Sequence, residues 1–271
     1  MEKCSENKED INITNVRSVI KSAVLDTQNG DITYKSLVQQ DENGDLMSAI
    51  VQDTVYDRNN DEVIMIYRVI NNTGLDDNAT LEDYLDAGSN LMQTSINIGE
   101  SVKDEDVTYA KGTVIDSGGK IDDEQNVIKN VDIAMMHDEG KEIPVIAYNK
   151  TTGKQANIIA TAEEDSINQL KLISLQYNGN KYEKNIQKDV PLENSGDYIA
   201  QPKLMTTEVE GKVQNILAWK NIRTDKGNVG RIAMADPVEL MKDKDEYEGG
   251  NIATIINEAA GGMEDVQILS D

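Results

Sequence analysis

The stretch DEVIMIYRVINNTGLDDNATLEDYLDAG, residues 61–88, carries the strongest fold signal in this chain. An apolar run from Val63 to Ile70 is rich in β-branched side chains and ends at an Asn-Asn-Thr-Gly turn. A shorter segment, from Ala79 to Gly88, then alternates apolar and polar residues. Apolar runs closed by Asn and Gly predict strands and turns. The stretch therefore predicts β-structure, and it holds no recognisable catalytic motif.

Similar runs continue on both sides of this stretch. A Gln-Asn-Gly turn at residues 28–30 separates two alternating segments, which predicts a β-hairpin. Asn, Asp and Gly recur about every 8 to 15 residues, a spacing typical of a β-sandwich. Helices are predicted only at residues 237–242 and 252–259. The fold class predicted is all-β, with antiparallel β-sandwich modules in tandem after an extended N-terminal arm.

Three segments make up the predicted domain organisation. Residues 1–46 form an arm and a β-hairpin, residues 47–164 a first sandwich, and residues 165–271 a second sandwich. The polar Glu-Glu-Asp run at residues 163–165 supplies the boundary between the sandwiches. A loose echo between the two halves supports tandem modules, since GKQANIIATA resembles GNIATIINEAA.

Charge excludes several kinds of partner. The 271 residues include 26 Lys and Arg against 50 Asp and Glu, a net charge of −24. Nucleic acids and anionic lipids are bound mainly by cationic side chains, so we expect neither as a partner. No segment approaches the ~20 apolar residues that span a bilayer, so membrane insertion is not expected. The polar N-terminus lacks the apolar core of a signal peptide, so we expect a removed leader or a route without one.

Aromatic residues are few, and Phe is absent. Tyr109, Tyr148, Tyr177 and Trp219 could form a platform for a sugar ring. Aromatic residues at strand positions belong more often to a sandwich core, and Trp219 lies between Leu217 and Ile222 in the middle of a predicted strand. We therefore expect these side chains to be core residues.

A single cysteine, Cys4, excludes an internal disulfide framework. It lies in the polar arm, where an exposed thiol could cross-link two chains. An incidental free thiol is the alternative.

Two acidic turns alternate oxygen-bearing side chains in the manner of calcium loops. Neither turn continues to the glutamate that closes an EF-hand, and hairpin turns rich in Asp and Asn have the same composition. Weak calcium binding is therefore possible, and no other cofactor is expected. The candidate ligands are Asp41, Asn43, Asp45, Asp57, Asn59 and Asp61.

Nothing in the sequence indicates an enzyme. His137 is the only histidine, and no nucleophile in a recognisable context lies near it. Phosphate-binding loops and dinucleotide fingerprints are missing from the sequence. Acidic side chains are so common that no catalytic carboxylate pair can be selected. We therefore expect no catalytic residues, and an acidic hydrolase is the least favoured alternative.

Several motifs resemble the conserved-repeat module of bacterial surface proteins, an Ig-like domain of unknown function similar to fimbrial and S-layer-type modules. These are the strand with Tyr67, the Asn-Thr-Gly turn at residues 72–74, the segment DYLDAG at residues 83–88, and Asn157 and Asn257 in later runs. The resemblance covers residues 47–164 well and 165–271 poorly. Asp86 stands where the module has Pro.

The resemblance and the lack of chemistry together predict a structural subunit. It would polymerise with copies of itself into a pilus-like fibre, an S-layer or a spore-surface layer, outside a bacterial cell. Strand complementation would join the copies, because sandwich edges carry unpaired main-chain groups. Alternatives are a monomeric adhesin or carbohydrate-binding accessory module, and a phage virion structural protein. The candidate donor residues are Ile11, Ile13, Val16, Val19 and Ile20.

Overall fold

The computed structural model describes residues 20–25, 32–37, 49–71, 75, 78–97, 112–153, 167–190, 197–223, 229–242 and 254–259. Strands make up nearly all of these residues, which confirms the all-β fold class. The elements are β1 (Ile20–Leu25), β2 (Ile32–Leu37), β3 (Ala49–Asp57), β4 (Glu62–Ile70), α1 (Leu81–Ala87), β5 (Ser89–Asn97), β6 (Thr113–Asp116), β7 (Gly119–Ile121), β8 (Glu124–Asp138), β9 (Lys141–Gly153), β10 (Ile167–Tyr177), β11 (Tyr182–Val190), β12 (Asp197–Val209), β13 (Lys212–Arg223), β14 (Val229–Ala235), α2 (Pro237–Met241) and β15 (Thr254–Ala259).

The described strands form three large antiparallel sheets and one hairpin. The N-terminal sheet has the order β3-β4-β5-β6, and the C-terminal sheet has the order β12-β13-β14-β15. Between them in the chain lies the central sheet, with the order β11-β10-β9-β8-β7. The hairpin pairs β1 with β2, as the Asn-Gly turn predicted.

The central sheet is buried on both faces. Along β10, Leu172 belongs to one apolar core and its neighbour Ile173 to another, and both are fully buried. Strand β9 shows the same division, with Val145 on one face and Ile146 on the other. Successive side chains of a strand point to opposite faces. A sheet covered on both faces therefore needs the nearly continuous apolar runs that these two strands carry.

Two cores fill the space beside the central sheet. The C-terminal core lies against β12, β13, β14 and α2, and the N-terminal core lies against β4, β5 and β6. The C-terminal core consists of Met136, Val145, Ala147, Leu170, Leu172, Val190, Leu204, Leu217, Trp219, Ala233, Val238, Leu240 and Met241. The N-terminal core consists of Ile64, Ile66, Leu91, Ile115, Ile128, Val131, Ile133, Ile146, Tyr148, Ile173, Leu175 and Tyr182.

Strands on either side of residue 164 share one sheet. Strand β9 precedes this residue and β10 follows it, and the two pair directly, with Asn149 opposite Leu170. Because the central sheet contributes to both cores, the described strands form three packed layers. An arrangement of tandem Ig-like sandwiches is not confirmed, and the bounds at residues 46 and 164 stay predictions.

Residues 81–87 form a helix, so the prediction of an alternating strand segment there is wrong. The Thr80 main-chain nitrogen donates to the Asp83 carboxylate at 2.7 Å, and the Asp83 main-chain nitrogen donates to Thr80 Oγ1 at 3.3 Å. This is a capping box, which stabilises the first turn of a helix. Gly88, with φ +64°, ends it, and a Cβ there would lie 2.3 Å from Gly119 Cα. Glycine is therefore needed at residue 88 for both its backbone angle and its close contact.

The two helices predicted near the C-terminus have different outcomes. Helix α2 is confirmed, since Asp236 caps it by accepting from the Val238 nitrogen at 2.8 Å and Pro237 occupies its first turn. Residues 254–259 form β15 rather than a helix, which corrects the other prediction. This segment begins Thr-Ile-Ile, and β14 offers it an edge, with Ile232 opposite Asn257. Tertiary pairing decides between helix and strand in such short apolar segments.

The layered fold predicts that shortening a buried side chain on either face of β10 strongly destabilises the protein. We expect Leu172→Ala and Ile173→Ala each to lower the free energy of unfolding by about 2–5 kcal/mol, because each leaves a cavity in a core. Chemical denaturation followed by circular dichroism measures both values.

The matched control is Val209→Ala, at a residue that is 44% exposed. It should change the free energy of unfolding by no more than about 0.5 kcal/mol. If Leu172→Ala or Ile173→Ala behaved like the control, the face carrying that residue would not be covered as described.

Candidate functional site

Two surface features of the described residues could bind a partner or a ligand. One is the outer edge of β3, here called the β3 edge and defined by residues 49–57. The other is a cleft at the end of the central sheet where the β8–β9 and β10–β11 turns lie, here called the hairpin cleft. The strands and turns that form both features are held in place by packing against the two cores.

Strand β3 is 9 residues long, and its edge carries exposed apolar side chains. Its pairing with β4 is regular except for one register shift. Strand β3 pairs only with β4 in its sheet, so its other side has no strand partner among the described residues. Ile50, Val51 and Tyr56 are 43%, 41% and 42% exposed, a high value for large apolar side chains. A strand edge with exposed apolar side chains is a template for pairing with another chain.

Val51 and Thr54 lie on one face of β3. They stand opposite Tyr67 and Met65 of β4, which are buried in a third apolar cluster on the outer face of the N-terminal sheet. A strand added beside β3 would extend this cluster. The register shifts between Val51 and Asp53, which marks a β-bulge at Gln52. The bulge directs Asp53 inward, and its Oδ2 accepts from the Ile133 nitrogen at 2.9 Å.

The edge strands β11, β6 and β7 are less suited to pairing. Strand β11 is also an edge, but it carries Lys184 and Lys188, and charged side chains discourage strand addition. Strands β6 and β7 have only 4 and 3 residues.

The side of β8 beyond its short partner β7 is bonded by side chains. The Arg68 guanidinium donates to the Ile128 carbonyl at 3.2 Å, and the Asn215 amide bonds both the nitrogen and the carbonyl of His137. These bonds occupy main-chain groups that an added strand would need.

The hairpin cleft has a volume of about 340 Å³. The two hairpin turns of the central sheet contribute to it, together with the β3–β4 turn and α2. Its lining residues are Asp57, Asn60, Asp138, Lys141, Glu142, Ile143, Pro144, Ser174, Leu175, Gln176, Tyr177, Tyr182, Asn185, Ile186, Val238, Met241 and Lys242.

A rigid hydrogen-bond network lies at the β3–β4 side of the cleft. The Tyr182 hydroxyl donates to Asp57 Oδ2 at 2.6 Å, and the Asn60 amide donates to the same oxygen at 2.7 Å. The other oxygen of Asp57 accepts from the Asn59 nitrogen at 2.8 Å. Burial and the Asp57 carboxylate both raise the pKa of Tyr182, so its hydroxyl remains a donor at neutral pH.

This network places three of the candidate calcium ligands. Asp57 is directed toward the cleft, whereas Asp61 Oδ1 accepts from the Tyr56 hydroxyl at 2.6 Å. Asn59 contributes its main-chain nitrogen to Asp57. Among the described residues, no group of three or more His, Cys, Asp and Glu side chains could hold a metal ion. Calcium binding stays a prediction, and Asp41, Asn43 and Asp45 lie outside the described residues.

Two tyrosines stand side by side at the end of β10 and β11. Tyr177 and Tyr182 are directly opposite in the register, and their ring centroids are 5.0 Å apart at an angle of 46°. Tyr182 is buried, and Tyr177 is half-buried. Next to them a register shift makes Asn185 an extra residue on β11, so it is displaced from regular pairing. The cleft therefore combines an aromatic surface with a displaced amide.

Charged groups in the cleft are largely paired. Lys242 Nζ lies 3.2 Å from Asp138 and 3.0 Å from Glu239, and these carboxylates raise the pKa of Lys242. Glu142 lies 3.9 Å from His137 Nε2. Counting the lining residues, three acids and two lysines leave the cleft with a net charge of about −1. An anionic ligand is therefore disfavoured.

The other aromatic candidates belong to the cores. Tyr148 is fully buried, and its hydroxyl donates to Asp116 at 2.8 Å. Trp219 is 4% exposed and lies in the C-terminal core. The expectation that these two side chains are core residues is confirmed, whereas Tyr177 lines the cleft. Tyr109 lies outside the described residues.

The predicted assembly residues fall mostly outside the described part of the chain. Cys4, Ile11, Ile13, Val16 and Val19 lie there. Ile20 is the first residue of β1 and stands opposite Leu37 of β2. The donor segment and the cross-link stay predictions.

Sequence reasoning missed most of the hairpin cleft. An Asn-Gly-Asn run at residues 178–180 lies between Tyr177 and Tyr182, and Asn-Gly between two strand segments is a hairpin signal from which counting back pairs the two rings. The approach of Asn60 to Tyr182 joins residues 122 positions apart and depends on how the sheets pack. No local pattern records such a contact.

A buried carboxylate joins the central and C-terminal sheets. Asp132, which is 7% exposed, accepts from the Leu204 nitrogen at 2.6 Å and lies 2.8 Å from Lys203 Nζ. Burial raises the pKa of Asp132, and Lys203 and the Leu204 nitrogen partly oppose that rise. The group therefore favours folding at low pH. This contribution is lost as the pH rises from the ordinary value of 3.8 through the folded pKa.

Comparisons with family models, with curated proteins and with solved structures found no match to this chain. The resemblance to bacterial surface-protein modules accordingly stays a prediction. Within the described part of the chain, the helices are all too short and polar to cross a membrane.

The contacts of Asp132 predict the effect of removing its cation. We expect Lys203→Gln to raise the pKa of Asp132 further, because Lys203 stabilises the charged carboxylate. Carboxyl-carbon NMR titration of protein labelled at aspartate measures the shift.

The matched control is Lys212→Gln, which removes the same charge from an exposed residue at the other end of the β12–β13 hairpin. It should leave the Asp132 titration unchanged. An equal shift in both variants would mean that net charge, rather than the 2.8 Å contact, sets the pKa.

Proposed function

We propose that this protein is a structural subunit that assembles with copies of itself, with the β3 edge accepting a strand from a neighbouring copy. The observation that supports this most strongly is the pattern of exposure on β3. Its edge carries Ile50, Val51 and Tyr56 exposed, whereas the described edge strand β11 carries lysines and the free side of β8 is bonded by side chains.

Strand addition suits this edge physically. A neighbouring strand would supply main-chain partners for β3 and would cover Val51 and Tyr56, which share a face. Removing apolar surface from water contributes about 25 cal/mol per Å². Main-chain hydrogen bonds would fix the direction of the added strand, and its alternate side chains would extend the outer cluster of the N-terminal sheet.

The donor proposed from the sequence is the segment of residues 11–24, in a neighbouring copy. Its β-branched residues match the chemistry of the acceptor edge. Cys4, close to this segment in sequence, would then be placed to cross-link adjacent copies. A bacterial cell or spore surface is the location that such an assembly serves, and the proposal requires no catalysis.

Charge would regulate the assembly. Each copy carries a net charge of −24, so neighbouring copies repel one another at low salt. Salt shortens the Debye length to about 8 Å at physiological ionic strength, which weakens this repulsion. Assembly should therefore strengthen with ionic strength, the opposite of an interface held together by ion pairs.

Charging the β3 edge tests the acceptor role. We expect the wild-type protein to form filaments or layers at high concentration, and Val51→Lys/Thr54→Lys to prevent them, because edge lysines would be desolvated by an added strand. Negative-stain electron microscopy and sedimentation velocity measure the assemblies.

The matched control is Val209→Lys/Val213→Lys, which adds the same charge at two residues that are 44% and 45% exposed near the β12–β13 turn. This variant should still assemble. Dispersed wild-type monomers, or equal assembly of the two variants, would refute the role of the β3 edge and favour a monomeric binding module.

Deleting residues 1–24 tests the donor role. We expect the truncated chain to remain folded, because β1 pairs only with β2 among the described strands, and to lose assembly. Circular dichroism and thermal unfolding check the fold, and electron microscopy with and without reductant checks assembly and the part played by Cys4. Polymers formed by the truncated chain would exclude this donor without excluding the β3 acceptor.

A further inference from the structure

The geometry points to the hairpin cleft as a binding site for a neutral saccharide, at the level of one or two sugar rings. This site is separate from strand addition. It rests on the size, charge and lining of the cleft, which are considered in turn below.

The size of the cleft sets an upper limit on the ligand. A volume of about 340 Å³ lies near the lower end of the ~300–1,000 Å³ range of small-molecule sites. The cleft therefore accepts a small ligand, or the terminal part of a longer chain, rather than a folded partner.

Charge pairing in the cleft favours a neutral ligand. Lys242 is held between Asp138 and Glu239, and Asp57 accepts three hydrogen bonds from within the protein. Breaking these pairs to bind an ion would leave partly buried charges without partners, which is costly. The net charge of the protein, −24, also repels phosphates and carboxylates.

The polar groups left for a ligand are mainly amides. Gln176 and Asn185 are exposed on neighbouring strands of the cleft. The Asn60 amide nitrogen is fixed by Asp57, so its carbonyl oxygen is held in place and accepts no hydrogen bond from the described residues. Amide groups donate and accept at once, which matches the hydroxyl groups of a sugar.

The apolar part of the lining suits the other face of a sugar ring. Tyr177 is half-buried and is held by Tyr182 at 5.0 Å. Ile186, which is 37% exposed, adds an aliphatic surface, and the buried Met241 lies behind the lining. The electron-rich face of an aromatic ring attracts the weakly positive C–H groups of a sugar. Pre-positioned rings and amides also reduce the entropy lost on binding.

Solution NMR with defined sugars tests the site. Glucose, galactose, mannose and N-acetylglucosamine, and their β-linked disaccharides, would be titrated separately into full-length protein labelled at Ile and Met methyl groups. We expect at least one of them to bind with a Kd of about 1 mM or below and to shift the methyl signals of Ile186 and Met241. Signals of Met65 and Met92, which belong to the cluster on the outer face of the N-terminal sheet, should not move.

Variants at exposed cleft residues locate the binding. Gln176→Ala/Asn185→Ala removes two amides without disturbing a core and should weaken binding by about tenfold. Gln214→Ala, an exposed glutamine on β13, is the control and should leave the affinity unchanged. Tyr177→Leu keeps an apolar side chain but removes the ring, and should also weaken binding.

Two outcomes would overturn the site. One is the lack of binding by the wild-type protein to every sugar of the panel at tens of millimolar. The other is an affinity that the cleft variants leave unchanged, which would place binding elsewhere. Because these variants keep Val51 and Thr54, failure of the saccharide site and failure of assembly at the β3 edge are measured separately.

Discussion

Strand β8 has an apolar core on each of its faces, since Met136 lies in the C-terminal core and Ile133 in the N-terminal core. The same strand passes its short partner β7 and would leave main-chain groups unpaired inside the protein. An unpaired buried main-chain group costs about 1–3 kcal/mol. The side chains of Asp53 and Asn215, from the two outer sheets, bond these groups. The layers are thereby joined by polar contacts as well as by burial.

The need to bond main-chain groups that have no strand partner explains why acidic and amide side chains are buried in the fold. Asp132 of β8 is 7% exposed and lies on the face of β8 that points to the C-terminal core. It joins β8 to β12, because it accepts hydrogen bonds from the Leu204 nitrogen and from Lys203 Nζ. Buried polar groups are tolerated when their partners are satisfied. They also specify one arrangement of the sheets, because sliding a layer by one residue would break several such bonds together.

The two candidate surfaces follow from the same constraint. Each outer sheet ends at an edge strand or a turn, and the exposed side chains and main-chain groups lie there. The β3 edge is the outer edge of the N-terminal sheet. No described strand pairs with it there, although β3 still carries exposed apolar side chains. The hairpin cleft is the end of the central sheet, where turns from different layers leave a space. The proposed assembly would use main-chain pairing at the β3 edge, and the proposed ligand binding would use fixed amides and a tyrosine ring in the hairpin cleft.

Local sequence pattern determined most of the strands. The strand predicted from the apolar run Val63 to Ile70 matches β4 within one residue, because turn residues and β-branched side chains act over a few neighbouring positions. The local pattern misled at residues 81–87, where alternating residues predicted a strand but the capping box of Thr80 and Asp83 stabilises a helix. The residues of that capping box were visible in the sequence. The local pattern also failed at residues 254–259, where pairing with β14 decides the structure.

Tertiary structure alone decided how the strands are layered and which surfaces stay exposed. The apolar runs of β9 and β10 fit two separate sandwiches as well as one sheet buried on both faces, because an apolar run does not state what covers it. The contact of Asn60 with Tyr182 and that of Asp53 with Ile133 join residues far apart in the chain. Such contacts arise from the packing of whole sheets, whose energy is spread over dozens of side chains and has no local sequence pattern.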